Sequence, residues 1–204
     1  MKRVLMAAGL VVVLSALAAG LNSELLSGLD SSVAEWFDAH RSRKRYREDG
    51  EIFGYIGRPI YILVVATVCG ALLSARARSV LPALLVTGGV GVGAAVEGTL
   101  KAIIGRTATA GPLLHYPHSF PSGHVTGTAT LLGMVAVCLG SGRSRGLQAA
   151  LAVLVVGPVL FVAYLALYTG AHTFTDVLGG MALGGAIVAA GSAILAATSR
   201  ATGA

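Results

Sequence analysis

Long apolar stretches separated by short clusters of charged residues dominate the pattern of this chain. Six stretches contain no Asp, Glu, Lys or Arg, and each can hold the roughly 20 apolar residues that a membrane-spanning helix needs. Within the fourth stretch, residues 107–121 are rich in Pro, His, Ser and Thr, which is typical of a loop. We therefore predict six membrane spans, at approximately residues 4–22, 56–75, 79–100, 122–140, 147–168 and 175–197.

The segment between the first and second spans has a different pattern. Its apolar residues recur near helical spacing around Trp36 and Phe37, and a basic run, Arg41–Arg47, follows. This favours an amphipathic helix within residues 25–50 that lies on the outer leaflet, with the basic run bound to lipid phosphates. A solvated charge run without a role is the alternative. The predicted fold is an all-α bundle of six transmembrane helices with this interfacial helix, in one domain over residues 1–204.

Composition agrees with a membrane protein. The chain is 55% hydrophobic and only 12% charged, whereas soluble domains carry about 25% charged residues. A soluble enzyme and a disordered protein are excluded on this basis. The net charge of +6 fits basic residues that flank membrane spans better than a nucleic-acid partner. Cys69 and Cys138 lie in apolar stretches and indicate neither a disulfide nor a thiolate metal site.

Basic residues also predict the orientation. The Arg41–Arg47 run, which would lie outside, argues against a cytoplasmic N-terminus. In favour of it, six crossings place seven basic residues on the cytoplasmic side, namely Lys2, Arg3, Arg76, Arg78, Arg143, Arg145 and Arg200. The first span could instead be a cleaved signal peptide, but its apolar run is long enough to span, and we favour retention. The Ala- and Gly-rich composition suggests a bacterial plasma-membrane protein. The glycine spacings Gly89/Gly93 and Gly180/Gly184 predict close helix packing.

Ionisable residues near membrane spans are functional candidates by default, and here they converge on the outer face. Three junctions between spans deliver them. These residues are Lys101 and Arg106 after the third span, Ser122, Gly123 and His124 at the start of the fourth, and His172 and Asp176 before the sixth. Glu97 lies one turn before Lys101 and is expected to pair with it.

The tetrapeptide Pro121-Ser122-Gly123-His124 indicates an anion site. Ser122 can cap the helix and Gly123 lets a ligand approach the backbone, while the free amides of the first turn attract anions. His124 would then stand beside the anion and could donate a proton to a leaving group. Taken alone, the tetrapeptide is a weak signal that fits an ordinary capped helix start better than an anion site.

His172 and Asp176 are four residues apart and share a helix face if the chain is helical there. A carboxylate bonded to one imidazole nitrogen fixes the tautomer and leaves the other nitrogen free to attack. A polar pair that anchors a helix end is the alternative. A metal site that combines these two residues with His115, His118 and His124 is less well supported, because the spacing is not diagnostic. We therefore predict no metal and no other cofactor.

The chain resembles the type 2 phosphatidic acid phosphatase superfamily of integral-membrane lipid phosphatases. Its members have six helices and three motifs: Lys with Arg-Pro seven residues on, Pro-Ser-Gly-His, and Ser-Arg followed by His and Asp. This chain matches the second motif fully at Pro121–His124 and the second half of the third at His172 and Asp176. Both clamp arginines of the family are missing, because Ala108 and Ala166 stand at their positions. Arg106, Arg58 or the Arg41–Arg47 run could replace them.

The resemblance implies a two-step displacement without a metal. His172 would attack phosphorus, Asp176 would stabilise the imidazolium, and His124 would protonate the leaving group. The non-bridging oxygens would be bound by Lys101, Arg106, Ser122 and Gly123. The implied substrate is a lipid phosphate or polyprenyl pyrophosphate within the membrane, and the implied activity is hydrolysis on the extracytoplasmic face. A lipid head-group phosphotransferase and a catalytically silent lipid-binding relative are the alternatives.

Overall fold

The computed structural model describes residues 1–42, 50–106 and 119–201, and its secondary structure over these residues is entirely helical. A short helical segment covers residues 50–55. The described part contains seven longer helices, which are α1 (Lys2–Gly20), α2 (Glu24–His40), α3 (Pro59–Ala77), α4 (Leu81–Ile104), α5 (Gly123–Gly140), α6 (Arg145–Tyr168) and α7 (Phe174–Ala201). All except α2 are long and apolar enough to cross a membrane. The predicted six-span, all-α fold is therefore confirmed.

Local residue choices explain where several helices begin and end. Pro59 and Pro82 stand in the first turns of α3 and α4, where a missing amide hydrogen costs nothing. Gly105 ends α4 with a φ of +63°, a left-handed conformation that glycine adopts without steric cost. The Ser23 side chain accepts a hydrogen bond from the Leu26 amide and caps α2.

Helices α5 and α7 form the centre of the bundle, and both are extensively buried. They pack closely because glycines at the contact have no side chain: a Cβ atom added at Gly184 would lie only 2.7 Å from the Cβ of Ala129. A Cβ added at Gly180 would lie 2.7 Å from the Ser122 carbonyl oxygen, and one at Gly89 would lie 3.2 Å from Met134. The predicted packing role of these glycines is confirmed.

The alternation of the spans brings several helix ends to one end of the bundle. The C-termini of α4 and α6 and the N-termini of α3, α5 and α7 lie there. Helix α2 covers part of this end, where Phe37 packs against Tyr164 and Tyr168 of α6. A helix between the first two spans was predicted, while its position on an outer leaflet stays a prediction. The basic residues 43–47 lie outside the described residues.

Candidate active site

Two histidines from different helices approach each other at this end of the bundle. His124 is the second residue of α5, and His172 lies in the turn before α7. Their ring centroids are 6.5 Å apart, and their ring planes are inclined by 62°. The predicted convergence of these two junctions on one side of the bundle is therefore confirmed.

The turn between α6 and α7 fixes the position of His172. Gly170 adopts a φ of +66°, which lets the chain leave α6 sharply. The amides of Ala171 and His172 both donate to the Ala166 carbonyl, at 3.1 and 3.2 Å. His172 is only 7% exposed, so its ring is held by both backbone and packing.

The carboxylate of Asp176 lies behind the His172 ring. Its Oδ2 atom is 3.5 Å from His172 Nδ1 and accepts a hydrogen bond from the Thr173 amide at 3.0 Å. The 3.5 Å separation exceeds an ordinary N–H···O distance, and His172 Nδ1 has no hydrogen-bond partner among the described residues. Because Nδ1 is the ring nitrogen nearest the carboxylate, Nε2 is the nitrogen left to meet a substrate.

Ser122 occupies the N-cap position of α5, but its side chain makes no capping hydrogen bond. The predicted side-chain cap is therefore wrong. The Ser122 amide instead donates to the Asp176 carbonyl at 2.9 Å, which ties the start of α5 to α7. The Ser122 hydroxyl is buried and has no hydrogen-bond partner among the described residues, so it is a polar group that a ligand could satisfy.

Glu97 and Lys101 approach the start of α5 from the last turns of α4. Lys101 Nζ lies 2.7 Å from Glu97 Oε1, so the predicted ion pair is confirmed. A Cβ atom at Gly123 would lie 2.2 Å from the same carboxylate oxygen. The Glu97 carboxylate therefore occupies the space that the absence of a side chain at Gly123 leaves open.

Arg106 is bound to two carboxylates of the site. Its Nη1 donates to Asp176 Oδ1 at 2.9 Å and its Nη2 to Asp30 Oδ2 at 2.7 Å. Nη1 also donates to the hydroxyls of Thr173 and Thr175, at 3.1 and 2.6 Å. The guanidinium therefore holds protein carboxylates, and its predicted contact with phosphate stays a prediction.

Asp30 of α2 belongs to the same cluster, although it was not among the predicted site residues. Its Oδ1 accepts from the Thr175 amide at 2.8 Å and its Oδ2 from the Thr175 hydroxyl at 2.7 Å. A signal for Asp30 was present, because it shares a helix face with Leu26, Val33 and Phe37 by spacing. An acidic residue on the apolar stripe of an amphipathic helix needs a partner, and Arg106 is that partner.

Phe53, from the short helical segment at residues 50–55, also lines the site. Its ring stacks on His124 with centroids 4.2 Å apart and lies 6.4 Å from the His172 ring. Phe53 belongs to the same buried apolar cluster as Ala166, which is fully buried. Apolar packing therefore surrounds the position where the family motif has its second clamp arginine.

Arg58, one of the residues that could replace a clamp arginine, follows a glycine that lies against His124. The preceding residue, Gly57, has a φ of +80°, and a Cβ there would lie 2.9 Å from His124 Cδ2. The Arg58 Nε donates to the Gly54 carbonyl, and its guanidinium carbon lies 5.3 Å from the Tyr55 ring centroid. The Arg58 guanidinium is therefore turned towards the segment at residues 50–55, and its role as a replacement for a clamp arginine stays a prediction.

The remaining predicted residues lie outside the described part of the chain. His115 and His118 of the alternative metal site fall there, as does Ala108 of the first motif. Within residues 1–42, 50–106 and 119–201, no group of three or more His, Cys, Asp or Glu side chains has an arrangement that could hold a metal ion.

These helices and this cluster define an integral-membrane protein whose candidate site, a histidine pair with a buried aspartate, lies at one end of a six-helix bundle. A model of the PAP2 superfamily matches residues 59–200. The chain therefore belongs to the PAP2 superfamily, and the resemblance found in the motifs is confirmed.

A solved structure shows the same fold. It is the crystal structure of a transmembrane PAP2-type phosphatidylglycerolphosphate phosphatase from Bacillus subtilis, with a TM-score of 0.81 and 21% sequence identity. The match covers 94% of this chain and 96% of that one, so it extends well beyond the family-matched region. No curated protein matches the chain.

Proposed function

We propose that the protein is a membrane lipid phosphate or pyrophosphate phosphatase that acts through a phosphohistidine intermediate. The observation that carries the proposal is the His124–His172 pair, 6.5 Å apart, with Asp176 behind one ring and Lys101 beside the start of α5. Membership of the PAP2 superfamily supports the same class of reaction.

In the first step, Nε2 of His172 attacks phosphorus and forms a P–N bond while the P–O bond to the leaving group breaks. His124 donates a proton to the departing oxygen, and Asp176 stabilises the developing imidazolium. In the second step, His124 accepts a proton from a water molecule, whose oxygen attacks phosphorus. The P–N bond then breaks, which releases inorganic phosphate and free His172. When the substrate is a pyrophosphate attacked at its terminal phosphorus, the lipid monophosphate is the group that leaves in the first step.

Lys101, the Ser122 hydroxyl and the backbone at Gly123 are proposed to bind the non-bridging oxygens, where negative charge accumulates in the transition state. The unpartnered Ser122 hydroxyl and the position of Lys101 beside Gly123 support these roles. For Arg106 to contact phosphate, its guanidinium would have to share its donors between the substrate and two carboxylates. Lys101 is therefore the principal cation in the proposal.

An apolar groove supports a substrate with a lipid tail. A cavity of about 340 Å³ extends from Glu97 and Gly123 along the side of the bundle, between α3, α4 and α5. Its walls include Ile60, Leu63 and Val90. A phosphate held at the histidine pair would leave an attached hydrocarbon chain at the mouth of this groove, where burial of apolar surface is favourable.

The site is proposed to face the extracytoplasmic side of the plasma membrane, with a cytoplasmic N-terminus. Seven of the fifteen Lys and Arg residues flank spans at the end of the bundle opposite the histidine pair, where Arg3 and Gln148 line one cavity. Basic residues favour the cytoplasmic side. The seven residues are Lys2, Arg3, Arg76, Arg78, Arg143, Arg145 and Arg200. The Arg41–Arg47 run is the feature that argues against this orientation.

The test is release of inorganic phosphate by the purified full chain in nanodiscs. A panel of phosphatidate, phosphatidylglycerol phosphate and polyprenyl pyrophosphate is offered with and without a chelator. His172→Ala is expected to abolish release, because it removes the nucleophile. His40→Ala is the matched control, since His40 is an exposed histidine on α2, and it should retain wild-type activity.

Three outcomes would overturn the proposal. Release that survives in His172→Ala would exclude this nucleophile, and release that disappears with the chelator would indicate a metal-dependent reaction. No turnover of any lipid would support a silent lipid-binding protein. Acid-labile phosphate that appears on the wild type and is absent from His172→Ala would identify the intermediate directly.

A head-group phosphotransferase is the second candidate, favoured by the apolar packing around Ala166 in place of a clamp arginine. In this reaction a lipid alcohol, rather than water, would accept the phosphoryl group from His172. The same nanodiscs with added diacylglycerol distinguish the two reactions. Phosphorylated acceptor with little free phosphate would identify the transferase.

A further inference from the structure

We propose that Asp30 of α2 and Arg106 act as a positioning pair for the His172–Asp176 dyad, so that the helix between the first two spans is part of the catalytic apparatus. The inference rests on the proposed function. It assigns a role to Asp30, which lies outside the family-matched region at residues 59–200.

One guanidinium joins the two carboxylates. Arg106 contacts Asp176 Oδ1 through Nη1 and Asp30 Oδ2 through Nη2, at 2.9 and 2.7 Å. The other oxygen of Asp176, Oδ2, is the one nearest His172 Nδ1. The orientation of the Asp176 carboxylate is therefore set on one side by Arg106 and on the other by the Thr173 amide.

Burial makes this arrangement costly to disturb. Asp30 is 7% exposed and Asp176 fully buried, while the Arg106 side chain is 18% exposed. Two buried carboxylates without a cation between them would repel each other strongly. Arg106 removes this repulsion, and Asp30 in turn prevents the whole charge of Arg106 from acting on Asp176.

Asp30 also fixes the start of α7. It accepts hydrogen bonds from both the amide and the hydroxyl of Thr175, and Thr175 directly precedes Asp176. A carboxylate at a helix N-terminus is favourable because the first amides are unpaired and the helix dipole is positive there. Asp30 thus holds both the backbone that carries Asp176 and the guanidinium that orients its side chain.

Loss of Asp30 should therefore alter the chemistry of the dyad more than substrate binding. In Asp30→Asn, the positive charge of Arg106 is no longer shared with Asp30 and acts on Asp176 alone. Asp176 then stabilises the His172 imidazolium less. We expect kcat to fall about 10- to 100-fold, the range for loss of one charge-assisted hydrogen bond, with KM within about threefold of wild type. Asp30→Glu should recover part of the loss, since it restores the charge.

The experiment compares Asp30→Asn, Asp30→Glu and the control Glu35→Gln, all as full chains in nanodiscs with phosphatidate. Glu35 is an exposed acid on the same helix and should behave as wild type. Thermal unfolding is measured for each variant. The ¹⁵N resonances of the His172 ring, assigned by comparison with His172→Ala, are expected to shift in Asp30→Asn and to stay unchanged in Glu35→Gln.

Unchanged kcat and unchanged His172 resonances in a folded Asp30→Asn protein would overturn the inference. An equal loss of activity in Asp30→Asn and Asp30→Glu, together with a lowered Tm and unshifted resonances, would assign Asp30 a purely structural role and overturn it too. If the wild type hydrolyses no lipid, the proposed function fails, but the resonances still report whether Asp30 positions the dyad.

Discussion

The glycine at position 123 leaves room for the carboxylate of Glu97. Because a Cβ there would overlap Glu97 Oε1, Gly123→Ala must displace Glu97, and with it the Lys101 ammonium. We expect phosphate release to fall about 10- to 100-fold, as misplacements of about 1 Å do in active sites. The measurement is kcat/KM with phosphatidate.

Gly98→Ala provides the control for this variant. Gly98 follows Glu97 on α4, and a Cβ there meets no atom within 4 Å. It should leave phosphate release unchanged. Equal activities for the two variants would show that the position of Glu97 has no bearing on the site.

Phe53 is expected to hold the His124 ring in place by stacking. An aromatic pair contributes about 0.5–1.5 kcal/mol beyond its buried area. Phe53→Leu keeps an apolar side chain but loses the stack, so kcat should fall by up to about tenfold. Phe161→Leu, at an exposed position on α6, should leave kcat unaltered, and a similar loss in both variants would contradict a specific role for Phe53.

Site residues that are related by local spacing could be predicted from the sequence, and those related only by long-range contacts could not. Asp176 was found because it is four residues from His172, and local spacing is visible in a sequence. Asp30 was missed because its partner, Arg106, is 76 residues away. Phe53 had no signal at all, since a single aromatic residue carries no periodicity and its stacking on His124 depends entirely on the tertiary fold.

At the scale of helices, the tight contact between α5 and α7 sets the spacing of the two histidines. A Cβ at Gly184 would lie 2.7 Å from the Ala129 Cβ, so Gly184→Ala should force the helices apart. We expect a loss of about 1–3 kcal/mol in the free energy of unfolding, measured by denaturation in detergent micelles.

Gly157→Ala on α6 should increase the free energy of unfolding instead of lowering it. A Cβ at Gly157 meets no atom within 4 Å, and alanine stabilises a helix by roughly 0.5–1 kcal/mol relative to glycine. If Gly184→Ala were as stable as Gly157→Ala, the α5–α7 contact would be looser than described.

The helices themselves were largely predictable because hydrocarbon excludes charge and demands internal hydrogen bonds. The fourth span was expected at 122–140, and α5 is Gly123–Gly140. The capping of α5 was not predictable in the same way. Ser122 has the residue type of a cap, yet its amide bonds to α7 and its hydroxyl stays unpartnered, because contact with a second helix decides its conformation.

The orientation of the whole molecule can be tested with single cysteines in a Cys69→Ala/Cys138→Ala background. Ser32 on α2 and Ser141 after α5 are exposed at opposite ends of the bundle. A membrane-impermeant maleimide added to intact cells should label Ser32→Cys. It should label Ser141→Cys only after permeabilisation, because the end of the bundle that carries Lys2, Arg3 and Arg143 is expected to face the cytoplasm. The reverse pattern would contradict an extracytoplasmic site.

The carboxylate of Glu97 against the first residue of α5 has a consequence for turnover. A helix N-terminus favours a negative group, and the Glu97 carboxylate lies at that position. In the proposed reaction a phosphate oxygen has to displace this carboxylate, so the binding free energy gained there is only the difference between the two anions. Return of the Glu97 carboxylate should also speed the release of inorganic phosphate. The product is then bound less tightly and turnover is faster.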